Sequence, residues 1–395
     1  MFIYYFFLEN FTPVELWGLA LFTFIWLIQI SFYIVIFAKP NRYARKGEKG
    51  KIWYSAAKPN VSVIVYCNDN FVDIERNVIS FLEQDYPNFE VVIVNDGSDN
   101  DLKDMVTLLK ERYSNLSYTY VPEEAHSLSR KKLALTVGIK AAKYDIIGFT
   151  DAFCRPTSKK WLASMIRNFI TDIDIVIGNS FEKGEERAKW SFRFYRLFFK
   201  LKFFSYAIMR RPYMGEGTNM FINKELFFKN RGFSNNLSIQ YGEDDIFANE
   251  IMRRENCRVE LSKDAAIENT LYDINGDMRE MRLRRSFTYK ILKTSAHFVF
   301  KLEQISCILF YPLFITMVIW GATDNPLITI FASAMFVLRY ISQSTVIRKA
   351  SKTFNCDING FDTMFYDFVR PIENIRFAIL GKNSSHKNYT WRIRR

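Results

Sequence analysis

The stretch Asp145-Ile-Ile-Gly-Phe-Thr-Asp-Ala-Phe-Cys-Arg-Pro156 decides the fold. Its run from Asp145 to Phe149 reads as a buried strand that leads straight into a carboxylate at Asp151. A strand ending in an acid puts charge at the carboxyl edge of a sheet, which is where open α/β sheets bind ligands. The same event occurs upstream in Phe89-Glu-Val-Val-Ile-Val-Asn-Asp-Gly-Ser98, and a third acidic station follows at Gly242-Glu-Asp-Asp245. Three such stations, two of them on sheet edges, point to a site for a nucleotide diphosphate with a metal ion.

Working outward, Val61-Ser-Val-Ile-Val-Tyr66 is a short β-branched run, and Leu116 to Val121 is another strand. Between the strands lie amphipathic segments at Asp73 to Gln84, Asp101 to Tyr113 and Ser129 to Ala142. Strands and helices alternating at this length predict a mostly parallel sheet with helices on both faces. Further on, Trp161 to Ile170, Asp244 to Arg254 and Met278 to Lys293 read as helices, and Asp174 to Asn179 and Met220 to Ile222 as strands.

The flanks of this region have a different composition. Leu16 to Ala38 carries no charge over 23 residues, and Gln304 to Thr323 none over 20. Asn325 to Ile347 is broken only by Arg339. About 20 apolar residues suffice to cross a bilayer. The net charge of +12 is concentrated beside these runs, as in Lys39, Arg42, Arg45, Lys46, Lys49 and Lys51. Basic residues next to a span mark its cytoplasmic side. They predict an integral membrane protein with its N-terminus outside and its central domain in the cytoplasm, and they argue against nucleic-acid binding. The expected organisation is a transmembrane helix with a basic strip over 1–57, a catalytic domain over 58–296, a two-helix hairpin over 297–347 and a cytoplasmic, interfacial tail over 348–395. The segment Lys189 to Arg211 carries nine aromatics, with bases at Lys189, Arg193, Arg196 and Lys200 on one helical face. It reads as an amphipathic helix lying on a membrane surface. The five cysteines have no zinc-ligand spacing.

Each candidate site residue has a chemical rationale. Asp96 accepts hydrogen bonds from a base or ribose, with Ser98 in the same turn, although Asp-Gly is also an ordinary turn. Asp151 offers oxygen to Mg2+ or Mn2+. Arg130, Lys131 and Lys132 open a helix where a phosphate is favoured. Glu243, Asp244 and Asp245 crowd one another, which raises carboxyl pKa values and poises a general base. Arg282, Arg284 and Arg285 suit a clamp on a leaving diphosphate.

In this order the stations resemble family 2 glycosyltransferases, from about Val61 to Ser286. Asn95-Asp-Gly-Ser98 looks like the family's nucleotide turn, and Lys131-Lys-Leu-Ala-Leu-Thr-Val-Gly138 like its lysine-bearing helix start. Phe149-Thr-Asp-Ala-Phe-Cys-Arg-Pro156 looks like its Asp-x-Asp segment, and Gly242-Glu-Asp-Asp-Ile-Phe247 like the segment holding the catalytic base. Arg282-Leu-Arg-Arg-Ser286 is similar to the (Gln/Arg)-x-x-Arg-Trp motif. The resemblance implies a Rossmann-like GT-A catalytic domain with flanking transmembrane helices, in a bacterial cytoplasmic membrane. It implies inverting transfer of a sugar from a nucleotide-diphosphate sugar to a lipid-linked or membrane-adjacent acceptor. Asp244 would be the base beside Glu243. Asp96, Ser98, Lys132, Asp151, Arg282 and Arg285 would hold the donor, with Mg2+ or Mn2+ on Asp151. Gly217, Asn219 and Asp245 would face the acceptor. Two positions depart from the pattern: Phe153 stands at the second Asp of Asp-x-Asp, and Ser286 at the Trp. Phe153 keeps open a second reading, a degenerate member serving as a membrane scaffold or partner subunit.

Overall fold

The computed structural model describes residues 10–388 apart from 69–70, 98–99, 123–124, 126–128, 185–186, 357 and 361. Ser98 therefore lies outside the described residues. The chain forms two compact units, which are described separately. One comprises Pro40–Lys293, Thr353–Asp357 and Phe377–Arg395, the other Met1–Lys39, Thr294–Lys352 and Ile358–Arg376.

The first elements described are α1 (Pro13–Ser31), a π-helical turn (Phe32–Phe37) and α2 (Lys39–Glu48). A capping box at Thr12 and Glu15 starts α1. The elements β1 (Val61–Cys67), α3 (Phe71–Leu82), β2 (Phe89–Asn95), α4 (Asn100–Arg112), β3 (Leu116–Tyr120), α5 (Arg130–Ala141) and β4 (Ile146–Asp151) then alternate as the sequence predicts. The chain continues through β5 (Cys154–Pro156), α6 (Trp161–Ile166), β6 (Ile175–Gly178), β7 (Ser180–Lys183), α7 (Trp190–Ile208), β8 (Met220–Asn223) and α8 (Lys224–Lys229). After α9 (Asp245–Ile251), β9 (Cys257–Glu260), β10 (Ile267–Thr270) and α10 (Ile274–Thr288) come the long helices α11 (Ala296–Thr323), α12 (Pro326–Phe354) and α13 (Asp362–Asn388).

Seven strands form the main sheet in the order β3-β2-β1-β4-β8-β6-β9. All its pairings are parallel except those of β8, which runs antiparallel to β4 and β6. β4 is buried at every position, and β1 and β2 at all but one each, as expected of strands covered on both faces. Val63, Val65, Val91, Ile93, Phe81 and Trp161 contribute to the core under it. The α5 helix lies close to the sheet at Gly138, where a Cβ would come within 2.6 Å of Val94 and 2.9 Å of Ile64. A smaller sheet, β5-β10-β7, was not apparent in the sequence because its strands are three or four residues long.

Two expectations are corrected. The aromatic helix α7 is a core element and not a surface one. Phe192, Phe194, Leu197, Phe198 and Leu201 are buried, and so are Arg196 and Lys200 from the basic face. Arg196 has no need of lipid phosphates, because Glu182 and Glu216 neutralise it inside the domain. The described part of the expected 348–395 tail is not separate either: α12 continues to Phe354, and the first half of α13 belongs to the same unit as α1, α11 and α12. Among the described residues, three helical stretches, Pro13–Glu48, Ala296–Thr323 and Pro326–Phe354, are long and apolar enough to cross a membrane.

Candidate active site

The register of the central strands assembles the site. β1 lies between β2 and β4, with Cys67 opposite Asn95 and Tyr66 opposite Asp151. The carboxyl ends of β2 and β4 thus open on the same edge, and Asp96 and Asp151 stand on either side of β1. Both acids line a cavity of about 800 Å3 that also receives Glu243, Asp244 and Asp245 from the start of α9 and Arg284 and Arg285 from α10. The three acidic stations of the sequence share this one cavity.

At the nucleotide end, Asp96 is buried and accepts from Arg130 Nε at 2.7 Å and from the Tyr66 hydroxyl at 2.9 Å. At the β4 end, Lys131 Nζ donates to both oxygens of Asp151, at 2.8 and 3.0 Å, and lies 3.7 Å from Glu243 Oε1. Burial works against the Lys131 charge, but Asp151 and Glu243 outweigh it and raise the lysine pKa. Burial, reinforced by the Asp244 charge, raises that of Glu243. Asp245 is pushed up to about 7, first by burial and then by Asp244, and its Oδ2 accepts from the Thr288 hydroxyl. Asp244 Oδ1 caps α9 by accepting from the Asp245 amide at 2.8 Å, while the Gly217 amide lies 3.5 Å from Asp244 Oδ2. A Cβ at Gly217 would come within 3.0 Å of the Asp244 Cβ, so a side chain there would press on this carboxylate.

The other expected residues lie in different settings. Arg285 lines the cavity and is fixed from behind by Glu216, with Nη2 2.9 Å from Oε1; its Nη1 is buried without a hydrogen-bond partner. Arg282 is buried away from the cavity lining, its guanidinium 3.8 Å from the Phe377 ring centroid and 4.6 Å from that of Tyr195. Lys132 donates to the carbonyls of Asn236, Ile239 and Tyr241 at 2.8, 2.7 and 3.0 Å, so its ammonium holds the loop before Gly242 and does not face a phosphate. Asn219 is fully buried: it donates to Asn179 and Ala265 carbonyls and accepts from Trp161 Nε1. It braces the sheet and is closed to an acceptor.

Residues 62–228 match glycosyl transferase family 2. The chain carries a family 2 glycosyltransferase domain. The domain is 28% identical over 124 residues to the glycosyltransferase AglE of Haloferax volcanii, a match that covers 31% of this chain and 39% of that relative. It is 32% identical over 92 residues to the hyaluronan synthase of Pasteurella multocida, covering 23% of this chain and 9% of the synthase. The chain therefore matches less than half the length of either relative. The fold is that of the mannosyltransferase PcManGT from Pyrobaculum calidifontis, solved in complex with GDP-Man and Mn2+. The two superpose with a TM-score of 0.50 at 18% identity, covering 84% of this chain and 99% of that one.

At the expected metal position the glycosyltransferase domain presents one carboxylate, Asp151, where the family pattern has two. Phe153 replaces the second carboxylate and packs against the apolar core. Both oxygens of Asp151 are taken by Lys131. Among the described residues, no three Asp, Glu, His or Cys side chains converge on a metal position.

Sequence reasoning missed Glu216, which holds both Arg196 and Arg285. It sits in the loop Gly215-Glu-Gly, but nothing in the spacing reveals that its partners come from two distant helices. Arg284 and Tyr241 were likewise not paired, although the guanidinium lies 4.1 Å from the ring centroid at the cavity wall.

Proposed function

We propose that the protein is an inverting glycosyltransferase that takes its sugar from a nucleotide-diphosphate donor and passes it to a lipid-linked or membrane-adjacent acceptor. The observation that carries this reading is the convergence of Asp96, Asp151, Asp244 and Arg285 on one cavity at the carboxyl edge of the sheet. In it, Asp96 orients the nucleotide, with Ser98 assigned by resemblance, and the cations Arg130, Lys131, Arg284 and Arg285 surround the diphosphate. Asp244 takes the proton of an acceptor hydroxyl as that oxygen bonds to the anomeric carbon. The bond from that carbon to the donor phosphate breaks on the opposite face, and the diphosphate leaves with the electron pair. Arginine and lysine donors stabilise the charge that develops on it. Glu243 and Asp245 flank the base, and Gly217 leaves room in front of it.

The acceptor class is supported by sequence order, since the spans begin within ten residues of the end of α10. The basic residues from Lys39 to Lys51 support a domain on the cytoplasmic side of the membrane, and the cell type follows only from the resemblance.

The experiment is release of nucleoside diphosphate from a panel of nucleotide sugars by the full-length protein in native-lipid vesicles. Turnover that disappears in Asp244→Asn, while the variant still binds the diphosphate, supports the assignment. Binding without turnover in the unsubstituted protein would favour the scaffold reading that Phe153 suggests.

A further inference from the structure

We propose that the ammonium of Lys131 serves as the fixed cation beneath the donor diphosphate, so that nucleotide binding needs no divalent ion. The proposal rests on the transferase reading and names the electrostatics of that same cavity.

The geometry at the end of β4 carries it. Lys131 Nζ bridges the two oxygens of Asp151 at 2.8 and 3.0 Å, and it lies 5.0 Å above the Tyr66 ring. Tyr66 is in turn fixed by its bond to Asp96, so the ammonium is held between the Asp151 carboxylate and a fixed ring. Glu243, at 3.7 Å, is near enough to attract the charge but too far for a hydrogen bond. An ammonium has three protons, and Asp151 accepts only from one side. A donor therefore remains for a phosphate oxygen arriving from the cavity.

A divalent ion on Asp151 would have to displace this ammonium or sit against its positive charge. It would also lack the second carboxylate, since the half-buried Phe153 stands in its place and packs against the core. Four of the other cavity acids are already engaged: Asp96 by Arg130, Glu216 by Arg196 and Arg285, Glu280 by Arg284, and Asp73 by the Tyr272 hydroxyl. What the site offers instead is a group of cations, Arg130, Lys131, Arg284 and Arg285, lining the same cavity. Such a group neutralises a diphosphate without a coordination sphere.

The test is calorimetric titration of the full-length protein in detergent with UDP and with GDP, in excess EDTA and again in Mn2+. The expected result is that one of the two binds with the same Kd, within about twofold, in both conditions. Lys131→Met should weaken that binding by more than about tenfold in EDTA, and Lys131→Arg should retain most of it. Phe153→Asp restores a carboxylate pair, so this variant alone should take up Mn2+, read directly from the loss of the free-ion signal in electron paramagnetic resonance. Wild-type binding that vanishes in EDTA and returns with Mn2+ would overturn the ammonium assignment and leave the transferase reading standing. Undiminished binding by Lys131→Met would overturn it as well. No binding of either diphosphate in either condition would remove the nucleotide reading and this proposal together.

Discussion

Arg285 and Arg196 share one oxygen of Glu216: Arg285 Nη2 lies 2.9 Å from Oε1 and Arg196 Nη1 lies 2.6 Å from it. Both arginines line the cavity, but Arg196 is almost fully buried in α7 and also pairs with Glu182. Glu216 thus couples the proposed phosphate clamp, Arg285, to the buried Arg196. Burial pushes its carboxyl up, but the two guanidinium groups more than offset this and hold it at about 2. Its contribution to stability is therefore complete above the ordinary glutamate range and is lost as pH falls toward about 2. Glu216→Gln removes one partner of a buried network, which costs about 3–5 kcal/mol. The expected outcome is a clear drop in the apparent Tm in detergent at neutral pH, with a smaller further loss on acidification than in wild type. An unchanged Tm at pH 7 would show that the network contributes nothing.

Asp245 should give the opposite pH response. Its folded pKa of about 7 lies above the ordinary aspartate value, because burial and the Asp244 charge disfavour ionisation. Its favourable contribution is complete below about pH 4 and is lost as pH rises through about 7. Asp245→Asn mimics the protonated form and keeps a partner for the Thr288 hydroxyl. The variant should gain stability relative to wild type from pH 5 to pH 8, read from Tm at each pH. Its kcat/KM profile should also lose an inflection near pH 7, because the carboxyl that ionises there, next to the proposed base, is gone.

Lys132 makes a third prediction, about the loop that carries the base. Its ammonium satisfies the carbonyls of Asn236, Ile239 and Tyr241, just ahead of Gly242. Burial lowers its pKa to about 8. Lys132→Met keeps the length of the side chain and removes its three donors. Turnover should fall by at least about tenfold, as expected when a catalytic group loses its positioning. Diphosphate binding in calorimetry should change much less, because Asp96, Lys131 and Arg285 are untouched. Equal losses of binding and turnover would instead return Lys132 to the phosphate site.

These cases show which parts of the molecule were legible in the sequence. The strands ending at Asn95 and Asp151 were readable because continuous β-branched runs leave few alternatives to a buried strand. The register of the sheet then brought Asp96 and Asp151 together without further information. The fate of single cations was not legible. Arg196, Lys200 and Arg282 look on a helical wheel like a solvated or lipid-facing stripe, yet all three are buried. The partners of Arg196 and Arg282, namely Glu182, Glu216 and the rings of Tyr195 and Phe377, come from separated elements. Lys131 and Lys132 are adjacent in sequence, but a helix turns them to different surroundings, one to carboxylates and the other to carbonyls.

The same limit applies to Arg339, the one charge inside the third apolar run. It pairs with Asp367 of α13, whose oxygens also accept from the Tyr33 hydroxyl at 3.2 Å and the Tyr311 hydroxyl at 2.9 Å. One turn on, Arg370 pairs with Glu303 of α11. The α13 helix is inverted in character, with Asp367 and Arg370 buried and Phe365, Phe368, Ile372 and Ile375 exposed. That pattern suits a helix whose outer face meets lipid and whose charges must be neutralised inside the unit. Arg339→Leu alone leaves Asp367 short of its main counter-charge and should cost about 3–5 kcal/mol. The double variant Arg339→Leu/Asp367→Leu removes both charges and should recover part of that loss, because an apolar pair of similar volume often replaces a buried ion pair at little cost. Apparent Tm values of the four proteins in one detergent complete the cycle. Additive losses in the double variant would show that the two side chains stabilise the unit independently, and the pairing would then have no energetic role.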